Sequence, residues 1–162
     1  MAGFVLPSAS SYGLFAGVVM PVLVSVAAAP LSPHIAADLE KVYADSPEFV
    51  SAAAAVQVLA DAVNDGDTLY VGVFNGHYIA SVLVRGETDT RYLRYLCVHH
   101  ATRGRGVADR LVEEVRRLEL ERKTRWLEAD FDLTQEGVPE MLLAMGFIPH
   151  GQEGRYRCLI DV

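Results

Sequence analysis

Arginines and glycines alternate in Arg103-Gly104-Arg105-Gly106, with Thr102 before them and Val107, Ala108 and Asp109 after them, where a helical pattern begins. Glycine lacks the Cβ that would hold a ligand away from the backbone, and it adopts the left-handed conformations a tight loop needs. The first turn of a helix presents N–H groups with no intrahelical acceptor, and an anion can satisfy them. Arg103 and Arg105 add fixed positive charge at the same end. These residue types in this order form a cradle for a pyrophosphate group.

The elements that must position the cradle are legible on both sides of it. Tyr92 to Val98 is an apolar, strand-like run leading in, and Asp109 to about Arg122 is the helix leading out. Thr102 is placed to N-cap that helix. Upstream, Thr68 to Phe74 and His77 to Arg85 flank Asn75-Gly76, a pair suited to the positive φ angles of a type I′ hairpin turn. Gly86 to Asp89 makes a further turn, so Arg91 to Val98 becomes the third strand of a meander. Ser32-Pro33 is an N-cap and N1 pair opening a helix through Ile35, Leu39 and Val42. Ser46-Pro47-Glu48 repeats the device and predicts a second, alanine-rich helix to about Val63. Pro21 to Val26 reads as a first strand. Downstream come a strand at Trp126 to Asp130, a helix at Pro139 to Met145, a strand from Gly146-Phe147, and a closing strand at Arg155 to Ile160.

At 162 residues and 51% apolar content the chain can bury a core of its own. A net charge of −7, with no basic stripe beyond the cradle and its helix, argues against nucleic acid or an anionic membrane as partner. Cys97 and Cys158 show no Cys-x-x-Cys or Cys/His spacing, which predicts reduced thiols packed in strands and no metal. Met1 to Ala29 carries no Lys, Arg, Asp or Glu. It lacks a basic n-region, and Pro7 and Pro21 interrupt its apolar run short of the ~20 residues a membrane span requires. The expectation is a disordered extension over residues 1–19, then one domain over 20–162, in a cytoplasmic protein.

Strand, cradle, helix, strand, helix and Gly-Phe occur here in the order found in the GNAT superfamily of N-acetyltransferases, and the cradle resembles that superfamily's Gln/Arg-x-x-Gly-x-Gly/Ala loop. The resemblance implies an α/β fold with a mixed, mostly antiparallel sheet of six to seven strands and helices on both faces. It implies acetyl-CoA or CoA as cofactor. The pyrophosphate would lie on Thr102, Arg103, Gly104, Arg105, Gly106, Val107, Ala108 and Asp109. The pantetheine arm would lie along the main chain of Leu96, Cys97 and Val98, where the strand splays from its parallel neighbour. Acetyl transfer to an amine needs a base and, in many members, a Tyr that protonates the leaving thiolate. That Tyr stands four residues before the glycine of Gly-Phe, and here the position is Leu142. Glu128 and Asp130 are the candidate bases, followed by Asp132, His99 and His100; each also reads as a solvated or structural residue.

A narrower resemblance is to the PanZ (PanM) family of acetyl-CoA sensors, which promote maturation of aspartate decarboxylase. It is carried by Asp38-Leu39-Glu40-Lys41-Val42-Tyr43, by Thr102 to Val107 with Leu111-Val112-Glu113-Glu114-Val115, by Glu136-Gly137-Val138, by Ala144-Met145-Gly146-Phe147 and by Tyr156-Arg157-Cys158. That family also lacks the usual tyrosine. The resemblance implies a regulatory module whose partner is the decarboxylase precursor, with Asn75 near the partner contact. The alternative is a working N-acetyltransferase that uses Glu128, Asp130 or a positioned water as base.

Overall fold

In the computed structural model, which describes residues 21–130 and 137–160, seven strands form one sheet. In chain order the elements are β1 (Leu23–Val26), α1 (Pro33–Val42), α2 (Ala52–Asn64), β2 (Thr68–Phe74), β3 (His77–Arg85), β4 (Thr90–Val98), α3 (Val107–Glu121), β5 (Trp126–Asp130), α4 (Val138–Ala144), β6 (Ile148–Pro149) and β7 (Arg155–Leu159). The sheet runs β1-β2-β3-β4-β5-β7-β6, antiparallel throughout except for the β4–β5 pair. This is the mixed, mostly antiparallel architecture that the family resemblance implies. The expectations for residues 1–19, Asp132 and Glu136 lie outside the described residues.

Strand alternation distributes the core over both faces of the sheet. Leu69, Val71 and Leu83 point to one side, against Leu39 and Val42 of α1 and Ala55, Leu59, Ala62 and Val63 of α2. Tyr70, Val82 and Val84 point to the other, against Val107, Leu111, Val112 and Val115 of α3 and Leu142 of α4. A side chain reverses face at every residue of a strand, so β2 and β3 serve both layers and are apolar almost without interruption.

Local signals set several boundaries. The Ser32 hydroxyl accepts the Ile35 N–H at 3.2 Å with Pro33 at the first helical position, as the sequence predicts for α1. Asn75 and Gly76 take φ of 50° and 76° between paired Phe74 and His77, which makes the two-residue hairpin. Two expectations are corrected. The alanine-rich helix opens at Ser51, whose hydroxyl caps Ala54 N–H at 3.0 Å, and not at Ser46. Ser46 instead closes a turn onto the Glu48 N–H, while Phe49 is drawn inward against the rings of Tyr43 and Tyr95, at 5.8 and 4.9 Å between centroids. Thr102 does not cap α3. It ends a short 3-10 turn, His100–Thr102, and its hydroxyl donates to the His99 carbonyl at 3.0 Å.

A buried polar network fixes the far end of α3. Glu119, with no exposed surface, accepts from Arg91 Nε at 2.9 Å, Tyr70 Oη at 2.6 Å and Thr124 Oγ1 at 2.8 Å. Arg91 also donates to the Gly86 carbonyl and to the Thr68 hydroxyl. Burial alone would raise the Glu119 pKa, but the hydrogen bonds from Arg91, Tyr70 and Thr124 hold it below its ordinary value. The network ties α3 to β2 and β4, which in turn sets where the N-terminus of α3 points.

Candidate functional site

The site begins with a defect in β4. Thr90 to Leu93 pair in parallel with Trp126 to Ala129 of β5, and that pairing stops at Leu93. On the other side of β4, Ser81 pairs with Cys97 and Leu83 with Arg94, so Tyr95 and Leu96 together oppose Val82. This is a one-residue bulge, and Tyr95 occupies it with φ of 60°, a conformation few side chains adopt. Bulges bend the strand that carries them, and beyond this one Leu96, Cys97 and Val98 have no strand partner on the β5 side among the described residues.

Tyr43, the residue that ends α1, holds the bulge in place. Its buried hydroxyl donates to the Tyr95 carbonyl at 2.5 Å. A phenol has one proton to give, so at the 2.6 Å contact with Ser81 Oγ it is the serine that donates. Burial raises the Tyr43 pKa far above the ordinary phenol value, keeping the donor protonated. Nothing in the spacing of Tyr43, Ser81 and Tyr95 marks this contact in the sequence. A tyrosine at the end of an amphipathic helix was the only available sign.

The opened end of β4 faces a cleft of about 800 Å³. Its walls include Leu96, Cys97, Val98, Thr102, Arg103, Gly104, Gly106, Val107, Ala108 and Asp109, which are all the sequence-predicted cofactor residues except Arg105. Arg105 is exposed beside the cleft and is not part of its wall. Asp45, Ser46 and Pro47 close one side, and Gly137, Val138 and Met141 the other. Arg116 of α3 donates to the Met145 carbonyl at 2.8 Å, which anchors the α4 side.

The cradle has the geometry of an anion site. Gly104 and Gly106 take φ of 75° and 77°, and a Cβ added to either would meet no protein atom within 4 Å. They are glycines because of backbone conformation and not because neighbours crowd them. Gly106 is the N-cap of the 15-residue α3 and supplies no side chain to it. The first backbone bond of the helix runs from Arg110 N–H to the Gly106 carbonyl, which leaves the Val107, Ala108 and Asp109 N–H groups ahead of it at the cleft wall. Uncapped amides at the positive end of a helix dipole fit a pyrophosphate, and the open β4 edge fits an amide-bearing arm.

Arg103 is held, not free. Its Nε donates to the Val98 carbonyl at 3.0 Å, and its two terminal nitrogens form a fork on Asp45 at 2.8 and 2.6 Å. The fork holds the Asp45 carboxyl below, and the Arg103 guanidinium above, their ordinary pKa values. The sequence identified Arg103 as a charge for phosphate, but it could not supply Asp45, which lies 58 residues away and shares that charge.

Proton-transfer groups are sparse in this cleft. The ionisable residues in its described wall are Asp45, Cys97, Arg103 and Asp109. Burial pushes the Cys97 thiol up to about 11, and its Sγ donates to the Val42 carbonyl at 3.2 Å, so it stays protonated near neutral pH. Leu142 is fully buried in the core and presents nothing to the cleft. Glu128 and Asp130 stand on β5 outside the described wall, Glu128 with His150 Nε2 at 3.9 Å and Asp130 with Arg155 at 3.5 Å. His99 accepts the Ala101 N–H at 3.1 Å and stacks on His100, and burial lowers its pKa. Neither histidine is in the wall. The structure therefore gathers the predicted cofactor residues other than Arg105 into one cleft and leaves the predicted bases outside its described wall.

A bulged strand splayed from its parallel neighbour, with a glycine-rich turn into a helix, defines a GNAT domain, and the comparisons with known proteins agree. Over 87% of the chain and 95% of the other, the structure superposes on ribosomal-protein-S18-alanine N-acetyltransferase from Escherichia coli with a TM-score of 0.70 at 13% identity. The GNAT-family N-acetyltransferase YhbS from Escherichia coli, in complex with CoA, matches with a TM-score of 0.66 at 20% identity, covering 88% of this chain and 83% of that one. The PaiA N-acetyltransferase from Thermoplasma acidophilum, in complex with coenzyme A, matches with a TM-score of 0.64 at 11% identity, covering 86% and 99%. A comparison with individually characterised sequences gives no match. The family model described as the acetyltransferase (GNAT) domain of PanZ matches residues 23–156, and the chain belongs to that family.

Proposed function

We propose that this protein binds acetyl-CoA in the β4–α3 cleft and acts as a regulatory sensor that promotes maturation of aspartate 1-decarboxylase, not as an amine acetyltransferase. Val107, Ala108 and Asp109 N–H groups with the Gly104 and Gly106 backbone would hold the pyrophosphate, and the main chain of Leu96 to Val98 would hold the pantetheine. When bound, acetyl-CoA supplies an activated thioester, and in this reading that thioester is a signal and not a substrate. The observation that carries the proposal is the contrast within one cleft. Its backbone fits the cofactor, while the tyrosine position is the buried Leu142 and the candidate bases Glu128 and Asp130 stand outside the described wall. The CoA complexes of the Thermoplasma acidophilum and Escherichia coli neighbours support the ligand class, and membership of the PanZ family supports the partner.

Incubation with aspartate decarboxylase precursor and acetyl-CoA tests the proposal. Faster backbone cleavage and pyruvoyl formation in the presence of both this protein and acetyl-CoA is the expected result. Acetyl transfer to a broad panel of amines at ordinary enzyme rates, about 1 per second or more, with no effect on the precursor, would replace the sensor by a transferase.

A further inference from the structure

Away from the cleft, α1 and the start of β3 bring His34, Asp38 and His77 together. His34 and Asp38 are one helical turn apart and so share a face of α1, and His77 arrives as the first residue of β3. Asp38 is buried at 6% exposure, while the two imidazoles lie at the surface. Asp38 Oδ2 stands 3.3 Å from His34 Nε2 and 3.7 Å from His77 Nδ1, and one ligand atom from each residue lies within 4.8 Å of the other two.

Hydrogen bonding does not account for this convergence. The same Oδ2 already accepts the Tyr78 N–H at 2.9 Å. Both imidazole contacts exceed the roughly 2.7–3.2 Å of an ordinary N–H···O bond. Ligands about 2.0–2.1 Å from a tetrahedral ion stand about 3.3 Å apart, which matches the first separation and lies a few tenths below the second. Two imidazoles and one carboxylate form a donor set for zinc and its neighbours, not for calcium or magnesium.

We propose that His34 Nε2, Asp38 Oδ2 and His77 Nδ1 bind one divalent transition-metal ion of the zinc class, leaving a coordination position open toward solvent. The ion would clasp α1 to the N-terminal end of β3, across a junction that also carries the Asp38–Tyr78 hydrogen bond and an edge-on ring contact of His34 with Tyr78 at 5.4 Å between centroids. The inference is independent of the reading of the acyl-CoA cleft. It departs from the sequence-based expectation of no metal, which rested on cysteine and Cys/His spacing and could not see a trio assembled by helix-on-sheet packing.

The test uses the untagged full chain, stripped with chelator and titrated calorimetrically with Zn²⁺ alone, with Co²⁺ absorption as a second readout. One equivalent of zinc, a rise in melting temperature with zinc, and visible cobalt bands of a four-coordinate site are expected. His34→Ala and His77→Ala should each weaken zinc binding by at least the roughly tenfold that loss of a mere outer-shell partner costs, and together should abolish it. Both side chains are exposed, so circular dichroism should show these variants folded. No zinc binding by the wild-type chain, or undiminished binding by the folded double variant, would overturn the proposal.

Discussion

Replacing Tyr43 by Phe removes one oxygen atom from the buried junction that holds the β4 bulge. The Tyr95 carbonyl loses its donor at 2.5 Å and the Ser81 hydroxyl loses its acceptor at 2.6 Å, at a site where Tyr43 is 1% and Ser81 0% exposed. A buried polar group left without a partner costs about 1–3 kcal/mol. Rotation of the serine hydroxyl recovers part of the loss, so a net destabilisation of about 2 kcal/mol is expected. For a domain of this size that corresponds to a fall of roughly 4–8 °C in melting temperature. Because the bulge also sets the opened edge at Leu96 to Val98, acetyl-CoA affinity should fall with it. Calorimetric melting and titration of Tyr43→Phe, Ser81→Ala and the double variant form a cycle, and the two changes should couple by about 0.5 kcal/mol or more because the residues touch. A Tyr43→Phe protein with unchanged melting temperature and unchanged acetyl-CoA affinity would refute the claim that this junction builds the cleft.

Other perturbations address separate parts of the account. Glu119 has a lowered pKa in the fold, so its contribution to stability is present above the ordinary value of 4.5 and is lost as pH falls through the lower folded value; Glu119→Gln should flatten acid unfolding in that window, as followed by circular dichroism. Gly106→Val forces a β-branched residue to φ of 77°, costing about 1–2 kcal/mol in denaturant melts, and should raise the acetyl-CoA Kd by about tenfold for each 1.4 kcal/mol of amide–phosphate hydrogen bonding that it removes. Asp45→Asn removes the carboxylate that shares Arg103; acetyl-CoA binding should tighten about two- to fivefold at low salt, in line with the up to about 1 kcal/mol of an exposed ion pair, and the gain should shrink as salt is added.

What could be read from the sequence was local. Asn75-Gly76, Ser32-Pro33 and the Gly104/Gly106 turn each announce a backbone conformation through residue type alone, and each takes that conformation in the fold. The order of strands and helices around the cradle followed from period and turn chemistry, and the superfamily resemblance singled out Leu142, four residues before Gly146. What could not be read depends on partners distant in the chain. Ser46-Pro47-Glu48 has the residues of a helix start, but ring contacts between Phe49, Tyr43 and Tyr95 hold that segment as a turn, and the helix waits for Ser51. Thr102 has the chemistry of a cap, yet an intervening 3-10 turn spends its hydroxyl on His99. The Asp45–Arg103 fork, the Tyr95 bulge and the meeting of His34 with His77 leave no periodic trace, because no single element contains them.

The central claim is that acetyl-CoA occupies the β4–α3 cleft and is linked there to a protein partner. Isothermal titration of the purified protein with acetyl-CoA, alone and with the aspartate decarboxylase precursor, tests it most directly when run beside the Arg103→Glu/Gly106→Val variant. Binding that tightens with the precursor present, and that the folded variant loses, is the predicted result, because coupling between two ligands is reciprocal. Full affinity in the variant, or no heat of binding with the native chain, would contradict the account.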